Sequence, residues 1–136
     1  MMMGKIHLHT VFRWCNEIDT MRCFYSDLLG LEETFYRNDA EHGWLTYQAG
    51  TQIVFMRGTN PIETTSGWAK QPGFRGGNVE LDSWLLTFTK ADFEVLKQRL
   101  ANSDIEQLTG EGIDSSRQII VHDPMGITVE LSIEPD

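Results

Sequence analysis

Hydrophobic and polar positions alternate along several short stretches of this chain, and two longer stretches repeat apolar residues at helical spacing. The alternation predicts strands at residues 6–14, 32–37, 44–48, 51–57, 81–89, 105–109, 117–122 and 127–133. Apolar residues every three or four positions predict helices over residues 18–29 and 91–101. Asn16 and Gly30 are residue types that suit the two ends of the first helix. The fold class predicted is therefore α+β.

The order of these elements occurs twice. Residues 6–57 and 81–134 each read as a strand, a helix and three strands, and each module ends in a strand entered from a glycine, Gly50 or Gly126. We interpret residues 1–136 as one domain, with residues 58–80 as a linker rich in glycine. Paired βαβββ modules of this kind form a curved mixed sheet around a cleft, which is typical of a small-molecule site.

The charge balance narrows the range of partners. The chain carries 11 basic and 20 acidic residues, so its formal net charge is −9. Nucleic acid and anionic membranes attract proteins of the opposite sign, so we expect neither as a partner. No basic-then-apolar leader precedes the first strand, and no apolar run is long enough to cross a bilayer. We expect a cytoplasmic protein.

Three motifs occur in a fixed order along the chain. They are HTVFR at residues 9–13, FYSDLLGL at 24–31 and DPMGITVEL at 123–131. Together they resemble the vicinal oxygen chelate superfamily, which includes glyoxalase I, bleomycin-resistance proteins, fosfomycin-resistance enzymes and extradiol dioxygenases. The spacing from His9 to Tyr25 is one residue longer than the family's usual spacing, which predicts an insertion in the strand–helix loop.

The resemblance implies four inward strand positions that hold histidine or glutamate ligands for a divalent ion. The ion chelates two vicinal oxygens of a substrate and stabilises an anionic intermediate. Here those positions are occupied by His9, Val54, Leu85 and Glu130. Only His9 and Glu130 are metal-ligand types, and Glu130 is also the candidate catalytic base. Two ligands hold an ion weakly, which leaves two alternatives open: a weakly held zinc, nickel, iron or manganese ion, or no metal.

Strand alternation indicates which side chains accompany the candidate ligands. It predicts that His7, His9 and Arg13 share one face of the first strand, opposite the apolar Phe12 and Trp14. His122 would point to the apolar side of its hairpin if it paired with Ile127. The residues expected to line the ligand site are His7, Arg13, Val54, Trp68, Phe74 and Leu85. Trp68 and Phe74 are equally suited to the interface of a homodimer, the assembly we expect.

Two functional hypotheses follow. The protein is either a divergent metal-assisted lyase, isomerase or dioxygenase, or a binding protein that sequesters an antibiotic or metabolite without chemistry. A surface histidine and a solvated carboxylate are the simpler interpretations of His9 and Glu130. The missing ligands favour binding, and the sequence does not identify the ligand.

Overall fold

The structure is a computed structural model that describes residues 2–71 and 74–135. It divides into two compact units, Met1–Ile62 and Glu63–Asp136, and the boundary falls inside the glycine-rich segment. The first unit consists of β1 (Thr10–Cys15), α1 (Ile18–Arg22) continued by a π-helix (Cys23–Leu28), β2 (Glu32–Asn38), β3 (Gly43–Ala49) and β4 (Thr51–Arg57). The second consists of β5 (Ser83–Phe88), α2 (Lys90–Ala101), β6 (Gln118–His122) and β7 (Thr128–Ile133).

Each unit contains one mixed sheet. In the first sheet the strand order is β1-β4-β3-β2, and in the second it is β5-β7-β6. The first and last strands of each unit pair in parallel, and the remaining strands pair antiparallel. This confirms the α+β class and the position of both helices.

One predicted strand is absent. Residues 105–109 form only an isolated bridge from Gln107 to Val121, next to a hydrogen bond from Leu108 N to Ile120 O of 2.8 Å. The segment is largely polar, and Gly110 and Gly112 follow it with positive φ angles. The chain therefore turns away from β6 before a ladder can extend.

The helix of the first unit packs on one side of the first sheet, which we call the helix face. The Tyr25 ring stacks on Phe55 with centroids 4.8 Å apart and lies 5.9 Å from the ring of Tyr47. Burial raises the pKa of Tyr47 to about 12, and its hydroxyl lies 2.6 Å from Ser26 Oγ. Because Ser26 donates to the Glu33 carboxylate at 3.1 Å, the tyrosine is the donor to Ser26.

The start of the first helix differs from the prediction. Glu17 occupies the N-cap position, and Asn16 instead bonds both backbone groups of Ile62 at 2.7 and 2.8 Å. The connection from β1 to α1 contains only these two residues, and the predicted loop insertion stays a prediction. In the second unit Thr89 is the N-cap residue, and its Oγ1 accepts a hydrogen bond from Asp92 N at 3.1 Å.

The glycine-rich segment is attached to the second sheet. Thr65 bonds Gly126 through its hydroxyl at 2.8 Å, and Ala69 N donates to the buried Thr128 hydroxyl at 2.9 Å. Gly126 has a φ of 83°, and a Cβ there would lie 1.8 Å from the Thr65 carbonyl oxygen. Only glycine therefore fits between the β6–β7 turn and this segment.

A matched pair of glycine substitutions tests this attachment. Gly50 has a similar φ of 76°, yet nothing lies within 4 Å of a Cβ built there. We expect Gly50→Ala to cost about 1 kcal/mol from backbone strain alone. Gly126→Ala should cost roughly 2 kcal/mol more, because the Thr65 backbone must also move. Equal losses in urea unfolding would show that the attachment contributes nothing.

Candidate functional site

The first sheet has a second face, opposite the helix, which we call its open face. Strand register assigns to it Thr10, Phe12 and Trp14 of β1, Gln52, Val54 and Met56 of β4, Trp44, Thr46 and Gln48 of β3, and Phe35 and Arg37 of β2. The side chains of Phe12, Trp14, Phe35 and Trp44 are exposed, whereas Thr46 and Val54 are buried. This face is therefore an aromatic surface with a buried centre.

The alternation predicted for β1 is confirmed within the strand, because Arg13 lies on the face opposite Phe12 and Trp14, but that face is the helix face and not the open face. Residues 6–9 lie outside the strand, and Arg13 pairs with Phe55 on the helix face. The strand residue that points to the open face is Thr10, one position nearer the helix than His9. His7 is exposed and precedes the strand, so strand register does not assign it to a face.

His9 contacts the open face through a chain of hydrogen bonds. Thr10 Oγ1 donates to Gln52 Oε1 at 3.0 Å, and His9 Nδ1 lies 2.5 Å from the same hydroxyl. The Thr10 hydroxyl gives its one proton to Gln52. In the bond between His9 Nδ1 and Thr10 Oγ1, the proton is therefore on Nδ1. With its oxygen occupied, Gln52 has its amide NH₂ left to donate.

A groove of about 550 Å³ crosses the open face. It is lined by Thr34, Phe35, Arg37, His42, Trp44, Thr46 and Gln52. Phe35 and Trp44 supply flat apolar surface, and Arg37 supplies a cation. No carboxylate occurs among the described residues that line the groove, and Arg37 and Gln52 supply donors.

Arg37 is held at the edge of this groove by Asp39. Its Nε donates to Asp39 Oδ2 at 2.7 Å. This bond and those from the backbone N–H groups of His42 and Glu41 lower the pKa of Asp39 to about 2. The aspartate therefore remains charged at neutral pH and keeps the guanidinium in place.

The second sheet places Glu130 on its own open face, as predicted. Glu130 is half-buried, accepts from Ser132 Oγ at 3.0 Å and pairs with Leu85 and Ile120 on the neighbouring strands. His122 pairs with Thr128 and not with Ile127, so it lies on the face of Glu130. The hairpin register was the missing information, and sequence reasoning missed His122 for this reason.

The linker aromatics are partly covered within the second unit. The Trp68 ring stacks on His122 with centroids 3.7 Å apart. Phe74 is half-buried, and the Lys70 ammonium bonds its carbonyl oxygen. Trp68 thus lies on the open face of the second sheet, while Phe74 is placed by local contacts.

The side chains present do not fit the complete metal site that the resemblance implies. Val54 and Leu85 cannot bind a divalent ion, and the open-face position of β1 is a threonine. Within residues 2–71 and 74–135, no three His, Cys, Asp or Glu side chains form a group that could hold a metal. The same ranges contain no helix with the length and apolar character needed to cross a membrane. His9 and Glu130 belong to different units, so their convergence stays a prediction.

Comparison with known proteins identifies the family. Residues 7–131 match the model of the Glyoxalase/Bleomycin resistance protein/Dioxygenase superfamily, and the chain belongs to this superfamily. No curated protein matches the sequence significantly.

Solved structures share the fold at low identity. The fosfomycin resistance protein FosX from Mesorhizobium loti is 12% identical, with a TM-score of 0.63, over 98% of this chain and 94% of that one. A variant of FosX from Listeria monocytogenes, complexed with Mn(II) and 1S,2S-dihydroxypropylphosphonic acid, is 14% identical, with a TM-score of 0.64, over 98% and 95%. Lactoylglutathione lyase from Agrobacterium tumefaciens is 19% identical, with a TM-score of 0.61, over 96% of both chains.

Proposed function

We propose that this protein binds a flat organic anion in the groove on the open face of the first sheet, as a binding protein of its superfamily. The observation that carries the proposal is the combination of aromatic walls with donors. Phe35 and Trp44 offer stacking surfaces, while Arg37 and the Gln52 amide offer hydrogen bonds to an acceptor group. The phosphonic acid bound by the FosX neighbour is likewise an organic anion.

The small number of side chains that can bind a metal ion favours ligand binding over metal-assisted chemistry. Two of the four inward positions hold a side chain that can bind a metal ion. They are Glu130 and His9, and His9 directly precedes Thr10 in the chain. A divalent ion needs three or four protein ligands for a stable site. The fold supplies a concave, apolar surface without that requirement.

Fluorescence of 1-anilinonaphthalene-8-sulfonate, an anion with a flat naphthalene ring, tests the groove. We expect saturable binding that Trp44→Ala and Arg37→Gln each weaken about tenfold, because a charge-assisted hydrogen bond or an aromatic contact contributes on the order of 1.5 kcal/mol. Trp14→Ala is the matched control, since this exposed tryptophan shares the face but does not line the groove. Equal weakening by all three variants would contradict the assignment.

A metal-assisted activity is the second candidate, and the placement of Glu130 favours it. The carboxylate lies on an open face, in direct register with Leu85 on a neighbouring parallel strand, and adjacent strands are about 4.8 Å apart. Glu130 would be one ligand of the ion, with water or substrate completing its coordination. Glu130 would serve as the proton acceptor.

Calorimetric titration with zinc tests this second candidate. Leu85 is 54% exposed, so Leu85→His adds an imidazole beside Glu130 without disturbing the core. We expect this variant to bind zinc at least about tenfold more tightly than the parent chain, because it adds a ligand. Val95→His, at a 50% exposed position on α2, is the control. If Glu130→Ala leaves the affinity of Leu85→His unchanged, Glu130 is not a ligand.

We further propose a homodimer that covers the exposed aromatic residues of β1. Phe12 and Trp14 are 58% and 59% exposed, whereas Trp68 stacks on His122 and offers less free surface. Light scattering should give about twice the chain mass of 15.6 kDa. Trp14→Glu should shift the protein to the monomer, and Val95→Glu should not. A monomeric parent chain would refute the proposal.

A further inference from the structure

A second pocket lies entirely within the second unit. Residues 64–68 cross the β6–β7 turn and enclose about 370 Å³ together with Glu106, which lies on the chain before β6. The side chains that matter for its chemistry are Thr65, Trp68, Glu106, His122 and Asp123. This pocket is separate from the groove of the first sheet, with which it shares no residue.

A flat surface forms one part of this pocket. The rings of Trp68 and His122 are stacked 3.7 Å apart with an angle of 16° between their planes. The stack is held by the bond between His122 Nε2 and the Gly67 carbonyl at 2.8 Å. A planar ligand can pack against this pair.

The orientation of the polar groups is set by bonds inside the protein. The Gly67 carbonyl can only accept, so His122 Nε2 carries the proton, and Nδ1 of the neutral ring is an acceptor. The Thr65 hydroxyl donates its proton to Gly126 O at 2.8 Å and keeps lone pairs to accept with. Both groups therefore offer acceptors to a ligand.

The charged side chains of the pocket also favour a ligand that donates hydrogen bonds. Glu106 is an exposed carboxylate, and the buried Asp123 carboxylate accepts bonds from Met125 N and Ile127 N at 2.8 and 3.0 Å. No lysine or arginine occurs among the described residues that line the pocket. A ligand that donates several hydrogen bonds and carries a positive charge matches this arrangement, whereas an anion meets like charge.

We propose that this pocket is a second binding site, specific for a planar organic cation of the amidinium or guanidinium type. The cation donates to the Glu106 carboxylate and to the Nδ1 acceptor of His122, and its flat body packs against the Trp68–His122 pair. The proposed cation site is different from the anion groove of the first unit, and cation binding does not require that groove.

Benzamidine is a suitable probe, because its planar amidinium has a neutral isostere, benzamide, and an anionic counterpart, benzoate. Calorimetry or NMR titration of the full chain should show saturable benzamidine binding at least tenfold tighter than that of benzamide or benzoate. Comparable affinity for benzamide or benzoate, or no saturable benzamidine binding, overturns the proposal.

Two variants locate the binding. Glu106→Gln should weaken benzamidine at least fivefold, whereas Glu94→Gln, the same charge change on an exposed position of α2, should stay within twofold. His122→Phe keeps a flat ring on Trp68 but removes the Nδ1 acceptor, so it should also weaken binding, with near-UV circular dichroism confirming the fold. If Glu106→Gln or His122→Phe binds like the parent chain, the cation does not occupy this pocket.

Discussion

The parallel pairing of the first and last strands in each unit is the constraint on which the rest of the structure depends. It joins β1 to β4 and β5 to β7, and so decides which side chains leave the sheet away from the helix. A shift of one residue sends every side chain of a strand to the other face. In the first unit the observed register brings Thr10 to the open face and turns Arg13 toward the helix. In the second it sets Leu85 beside Glu130.

Hydrogen bonds inside each unit then decide whether a polar side chain on an open face offers a donor or an acceptor to a ligand. Thr10 donates to the side-chain oxygen of Gln52, so the Gln52 amide NH₂ can donate to a ligand. The Gly67 carbonyl accepts from His122 Nε2, so His122 Nδ1 can accept from a ligand. The same residue types with other internal partners would present the opposite character. The superfamily fold thus provides concave surfaces whose chemistry depends on a few fixed bonds, and the four inward positions of the resemblance are only part of it.

The glycine-rich segment is predicted from the sequence as a linker, but part of it packs against the second unit. As a sequence it predicts a linker, yet it is attached to the β6–β7 turn through Thr65 and Ala69. That attachment brings Trp68 onto His122 and explains why the turn needs glycine at position 126. Residues 63–71 of this connection are therefore part of the second unit's surface.

The sequence by itself determined the α+β class, both helices and the superfamily, because these depend on local periodicity and on motifs. It also predicted that Glu130 lies on the strand face opposite Val129 and Leu131, since alternation within a strand is a local property. Only the tertiary structure decided where β1 begins, that residues 105–109 form no strand, and that His122 faces the side of Glu130. Strand ends and register depend on partners distant in the chain, and a one-residue difference there changes the face to which a side chain belongs.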